Sequence, residues 1–121
     1  MSKKIFVVED DADLSEAIQI ILRENGYITV ASLDKNSIKG VILQMPDLVL
    51  VDNRLKDGLG SELCTAIKQH PLTSHIPVIL ISGYANLSEI AKVCGADAWL
   101  SKPFELTELT NLVGHYLQHA A

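Results

Sequence analysis

Leu48-Val49-Leu50-Val51-Asp52 places four consecutive apolar side chains directly before a carboxylate. A strand with one wet face alternates apolar and polar residues, so an unbroken run of this length predicts a strand covered on both faces, as in a parallel sheet. Pro46 precedes it and the polar Asn53-Arg54 follows, so the strand delivers Asp52 to its carboxyl end. Two further runs have the same character. Lys4-Ile5-Phe6-Val7-Val8 leads into Glu9-Asp10-Asp11, and Val78-Ile79-Leu80-Ile81 leads into Ser82-Gly83. Tyr27 to Ala31 and Ala98-Trp99-Leu100 are shorter strands of the same type.

Between these runs the apolar spacing changes to that of helices. Asp13 with Glu16 three residues on reads as a capping box, ahead of a stripe of Leu14, Ala17, Ile18, Ile21 and Leu22 that stops at Gly26. Ile38, Val41, Ile42 and Met45 suggest a weaker helix between Asp34 and Met45, interrupted by Gly40 and ended by Pro46. The stretch from Asn53 to Gly60 reads as a polar, glycine-containing loop. Leu59, Leu63, Ala66 and Ile67 form the face of a third helix, and Leu87, Ile90, Ala91 and Cys94 that of a fourth, stopped by Gly95. Leu106, Leu109, Val113, Tyr116 and Leu117 make a fifth, spanning Glu105 to His119, with Pro103 near its start. Strand and helix alternate five times, which predicts an α/β fold: a doubly wound parallel sheet with helices on both faces.

Composition narrows the function. The 121 residues are 48% hydrophobic, and 15 acidic against 10 basic residues give a formal charge of -5. That argues for one folded domain over residues 1–121 and against general nucleic-acid binding. No signal-peptide core or membrane-length apolar run is present, so the expected location is cytoplasmic. Cys64 and Cys94 lie in apolar helical segments and are expected to be reduced core residues.

In an open parallel sheet the carboxyl ends of the strands share one rim, where sites are built. That rim collects Glu9, Asp10 and Asp11 from the first strand, Asp52 from the third, Ser82 from the fourth and Lys102 from the fifth. Any one of these is ordinarily a solvated loop residue or a helix cap. Together they suggest a divalent-cation pocket, because neighbouring carboxylates repel unless a cation compensates them, and Mg²⁺ takes hard oxygen ligands without a complete protein cage. A flavin or nucleotide site is the rival reading. It needs a loop of backbone donors after the first strand, and Glu9-Asp10-Asp11 has the wrong charge for one, with no GxGxxG or GxxxxGK[ST] motif in the chain.

Five separated motifs, Val8-Glu9-Asp10-Asp11, Leu50-Val51-Asp52 with Arg54-Leu55 and Gly60 beyond, Ile81-Ser82-Gly83, Gly95-Ala96-Asp97 and Lys102-Pro103-Phe104, resemble the receiver domain of two-component response regulators. The resemblance spans essentially the whole chain. It implies a flavodoxin-like (βα)5 fold with strand order 2-1-3-4-5, and a switch that takes a phosphoryl group from a sensor histidine kinase or histidine phosphotransfer protein. Asp52 matches the phosphoacceptor. Asp10, Glu9, Asp52 and the Arg54 backbone carbonyl match the metal ligands for Mg²⁺, with Mn²⁺ as an alternative. Ser82 and Lys102 match the catalytic hydroxyl and lysine, and Ser82 with Trp99 the switch pair. Such a domain catalyses its own phosphotransfer and dephosphorylation, although it is mainly a signalling switch.

Arg54 and Tyr84 stand at the positions that tune dephosphorylation, and both are large, so slow hydrolysis is expected. Lys56 replaces a common proline, Trp99 a Tyr or Phe, and Gly83 a more frequent alanine. Asp11 matches no catalytic role and is read as loop solvation or help at the helix N-terminus. The fifth helix holds no Lys or Arg, so a charge-locked dimer is not expected; a monomer that docks a different downstream protein is. A phosphorylation-independent interaction module, and a receiver cut from a larger regulator or hybrid kinase, remain alternatives.

Overall fold

A computed structural model describes residues 2–32, 37–55, 58–83 and 85–117. Its main sheet has five parallel strands: β1 (Lys4–Val8), β2 (Ile28–Ser32), β3 (Leu48–Asp52), β4 (Val78–Ser82) and β5 (Ala98–Ser101). Their order is β2-β1-β3-β4-β5, the predicted 2-1-3-4-5. The helices are α1 (Ala12–Glu24), α2 (Ile38–Gln44), α3 (Gly60–Gln69), α4 (Leu87–Cys94) and α5 (Leu106–Leu117).

All five residues of β3 are buried, and so are all five of β4, as unbroken apolar runs in a doubly covered sheet should be. Their side chains alternate between two cores. Phe6, Val49, Val51, Val78 and Leu80 pack with Leu63 and Ile67 of α3 and Ala91 of α4. Ile5, Val7, Leu48, Leu50, Ile79 and Ile81 pack with Ile18 and Leu22 of α1 and Leu109 and Val113 of α5. The strand pattern and the helix stripes therefore meet on both sides.

Several local expectations are corrected. The N-cap of α1 is Asp11, not Asp13: its Oδ1 accepts from the backbone N–H groups of Asp13 and Leu14 at 3.0 and 3.2 Å. The segment after Asp52 is more than loop, because Arg54–Leu55 pairs antiparallel with Gly58–Leu59. Leu59 precedes α3 rather than packing on its core face, and is 42% exposed. Strand β2 runs one residue later than predicted, and α5 begins at Leu106, three residues beyond Pro103. The described part of α2 starts at Ile38. Gly40, which weakened that helix in the sequence, has a packing reason, since a Cβ there would lie 3.0 Å from the Phe6 ring.

The far end of the sheet, opposite the polar rim, is tied by charge. Lys68 Nζ donates to the Ile76 carbonyl at 2.7 Å and pairs with Asp97 Oδ2 at 2.7 Å, and that same oxygen accepts the Val78 N–H at 2.8 Å. Tyr116 on α5 donates its hydroxyl proton to the Asp97 carbonyl at 2.8 Å.

Gly60 is the tightest point near the polar rim. An added Cβ would fall 2.1 Å from the Asp52 carbonyl oxygen and 2.8 Å from a Val51 methyl, and backbone on one side of the clash cannot rotate away. Gly60→Ala is expected to lower the unfolding free energy by about 3 kcal/mol or more. Urea denaturation checks this: the midpoint should fall with the slope unchanged.

Candidate functional site

The parallel register brings the ends of β1, β3, β4 and β5 level, with Val8 beside Val51, Asp52 beside Ile81 and Ser82 beside Ser101. The residues at and after these ends therefore converge without further folding. They line an open depression of about 520 Å³ made by Glu9, Asp10, Asp11, Asp52, Arg54, Ser82, Gly83 and Lys102. Every sequence-predicted site residue is here except Trp99, which lies elsewhere, and Tyr84, which lies outside the described residues, as does Lys56.

Asp52 is 5% exposed, and both its oxygens are engaged. Oδ1 accepts the Arg54 backbone N–H at 3.0 Å, and Oδ2 accepts from Lys102 Nζ at 2.7 Å. Lys102 also reaches Glu9 Oε1 at 3.5 Å. Glu9 is 2% exposed, and its Oε2 accepts the Asp11 N–H at 3.1 Å. Ligand oxygens of Glu9, Asp10 and Asp52 lie within 4.8 Å of one another. With three carboxylates and one ammonium, full ionisation would leave two negative charges uncompensated, and an all-oxygen donor set of this kind suits a hard divalent cation. The residues fit Mg²⁺.

The electrostatics follow from that crowding. Burial, then a hydrogen bond to Asp52, push the Glu9 carboxyl from 4.5 up to about 7, against lowering by the Asp11 N–H and Lys102. Partial burial of Lys102 works against its charge. Even so, its hydrogen bond to Asp52 and the nearby carboxylates hold its pKa above the usual lysine value.

Asn53 was missed as a positioning residue. It is 1% exposed; its carbonyl accepts the Gly60 N–H at 2.8 Å and its Oδ1 accepts the Ser61 N–H at 3.0 Å. Asn53 thus satisfies the first donors of α3 and fixes that helix to the residue beside Asp52. A cap seven or eight residues ahead of the donors it serves leaves no local sequence signature. Trp99 faces outward from β5 and is 40% exposed. Asp97, from the Gly95-Ala96-Asp97 motif, lies outside the depression and is paired with Lys68.

The family model of the response regulator receiver domain matches residues 5–114. The phosphate regulon transcriptional regulatory protein PhoB of Escherichia coli (strain K12) is 31% identical over 112 residues, covering 90% of this chain and 49% of that protein. Histidine kinase P4 of Formosa agariphila is 33% identical over 119 residues, covering 95% of this chain and 8% of that protein. A solved signal receiver domain of a signal transduction histidine kinase from Syntrophus aciditrophicus is 29% identical with a TM-score of 0.90, covering 98% of this chain and 92% of that one. The chain thus spans about half the length of PhoB and a small part of the kinase. Among the described residues no helix is long and apolar enough to cross a membrane.

Because Glu9 holds its proton more tightly in the folded chain than in the unfolded one, the folded chain binds more protons between pH 4.5 and about 7. Its metal-free stability should therefore fall as pH rises through that window, by on the order of 3 kcal/mol from this group. Thermal melts in EDTA of wild type and Glu9→Gln isolate the effect: the wild type should lose stability relative to the variant from pH 5 to 8 (roughly the window in which such a carboxyl titrates), and Mg²⁺ should reverse the loss in wild type.

Proposed function

The chain belongs to the response regulator receiver domain family, a phosphorylation-dependent switch with an acidic cluster suited to Mg²⁺, and we propose that Asp52 is its phosphoacceptor. The carrying observation is the 2.7 Å contact between Lys102 Nζ and Asp52 Oδ2 at the floor of the acidic depression. A carboxylate oxygen there is both positioned and held beside a cation that a phosphoryl oxygen can share.

The phosphoryl donor is a phosphohistidine on a sensor histidine kinase or a phosphotransfer protein. Asp52 attacks phosphorus; the new O–P bond forms as the N–P bond breaks, and the imidazole leaves with a proton. The Arg54 N–H keeps Oδ1 fixed, so the carboxylate does not rotate away from the line of attack. Lys102 passes from Asp52 to the phosphoryl oxygens as their charge replaces that of the carboxylate, and the Ser82 hydroxyl donates to another. Glu9, Asp10, Asp52 and the Arg54 carbonyl would hold Mg²⁺, which when bound would supply the missing positive charge for carboxylates and phosphoryl group together. In hydrolysis water attacks phosphorus; its O–P bond forms as the Asp52 O–P bond breaks, Asp52 leaves as the carboxylate, and the water's proton passes to the departing phosphate or solvent. The exposed Arg54 side chain screens that water.

Residues 1–121 act as a single receiver domain, monomeric and cytoplasmic. Its output is a downstream protein rather than nucleic acid, docked where Trp99 changes its surroundings upon phosphorylation. The absence of Lys and Arg from α5 supports a heterologous partner over a charge-paired copy.

Acetyl phosphate with Mg²⁺ should add one phosphoryl group by intact mass to wild type and none to Asp52→Ala; an equal yield in Asp52→Ala would overturn the assignment. Arg54→Ala should release phosphate several-fold faster than wild type, measured on the purified phosphoprotein, and unchanged release would reject screening. Beryllofluoride with Mg²⁺ should change the emission of Trp99, the single tryptophan, in wild type but not in Asp52→Ala, with light scattering remaining at 13.2 kDa.

A further inference from the structure

Two nucleophilic groups have no part in the acidic depression. Cys64 of α3 and Cys94, the last residue of α4, lie in the same core, and both are free and buried. The Cys64 Sγ donates to the Cys94 carbonyl oxygen at 3.4 Å, which sets the Cys64 side chain directly against Cys94. Cys94 Sγ donates in turn to the Ala91 carbonyl at 3.5 Å. Burial alone would suit two small apolar side chains. Packing does not require that two cysteines thirty positions apart meet in one core, nor that one of them line a surface groove. Cys64 is 0% exposed, whereas Cys94 is 5% exposed and lines a groove of about 350 Å³ between α3 and α4, beside Thr65, Ile90 and Val93.

We propose that Cys94 and Cys64 are a peroxide-oxidisable dithiol, in which Cys94 reacts first and Cys64 resolves it to a disulfide tying α3 to α4. In the first step the Cys94 thiolate attacks a hydroperoxide; an S–O bond forms, the O–O bond breaks, and the departing oxygen leaves as alcohol or water after taking up a proton. In the second the Cys64 sulfur attacks the sulfenic sulfur; the S–S bond forms, the S–O bond breaks, and hydroxide leaves with the Cys64 proton as water. The two thiols lose two electrons and two protons, and the peroxide accepts them. The division of labour has two physical supports. The groove admits the oxidant to Cys94 and not to Cys64. The neighbouring Cys64 thiol also lowers the Cys94 thiol to about 7, against the effect of burial, while Cys94 and burial raise Cys64.

The test uses the native chain treated with hydrogen peroxide, alkylated under denaturing conditions and weighed intact. Wild type should lose the mass of two hydrogens, resist alkylation and stay monomeric without reductant. In Cys64→Ser, dimedone should trap one sulfenic acid on Cys94, and Cys94→Ser should react about tenfold more slowly or less. Phenylarsine oxide, which bridges two neighbouring thiols, gives a readout on unmutated protein and should bind at one per native chain. Equal reactivity of the two variants, a disulfide formed only between chains, or wild type without arsenical uptake would each overturn the proposal.

Discussion

Lys102 supplies one positive charge to a site where Glu9, Asp10 and Asp52 supply three negative ones within 4.8 Å. The geometry of the rim depends on this imbalance. Lys102 lies closer to Asp52 than to Glu9, so it compensates Asp52 first, and Glu9 answers by retaining a proton to near neutrality. Proton and metal are thus two ways of settling the same charge, and near pH 7 the site can exchange one for the other at small cost. A carboxylate set fully satisfied by protein cations would have less need of either.

Holding that imbalance in place takes a stiff frame. Asp52 sits at the end of a strand with all five residues buried, flanked by β1 and β4, and the Asn53 cap and the Gly60 contact join the next helix to the same few atoms. The Asp52 side chain therefore has little freedom to change its place.

The sheet was legible in the sequence because its signal is carried by unbroken runs: Leu48–Val51, Lys4–Val8 and Val78–Ile81 have no alternative that buries them on one face only. The pocket was legible for a related reason, since parallel strands end on a common rim and whatever follows them must meet. What escaped was local or long-range chemistry with no periodicity. Asp11 outcompeted Asp13 as cap because the chain leaves β1 extended at Asp11, with its carboxylate turned toward the N–H groups of Asp13 and Leu14. The Arg54–Leu55 ladder is too short to show alternation. Asn53 serves a helix that begins seven residues away, and Lys68 finds Asp97 across nearly thirty residues, so neither pairing could be read from neighbours.

The Lys68–Asp97 clamp gives the two ends of the sheet different lifetimes in water. At the clamped end, a single carboxylate oxygen holds the first amide of β4 and an ammonium at once, and Tyr116 closes over its backbone. Opening there must break three interactions together, so the Val78 amide should trade its proton for deuterium only in large, rare excursions. The Asp11 and Arg54 amides at the acidic rim, each held by a single carboxylate, are released in smaller ones. One edge of the sheet is thus locked by three bonds to a single residue, while the edge that carries the acidic cluster is secured bond by bond.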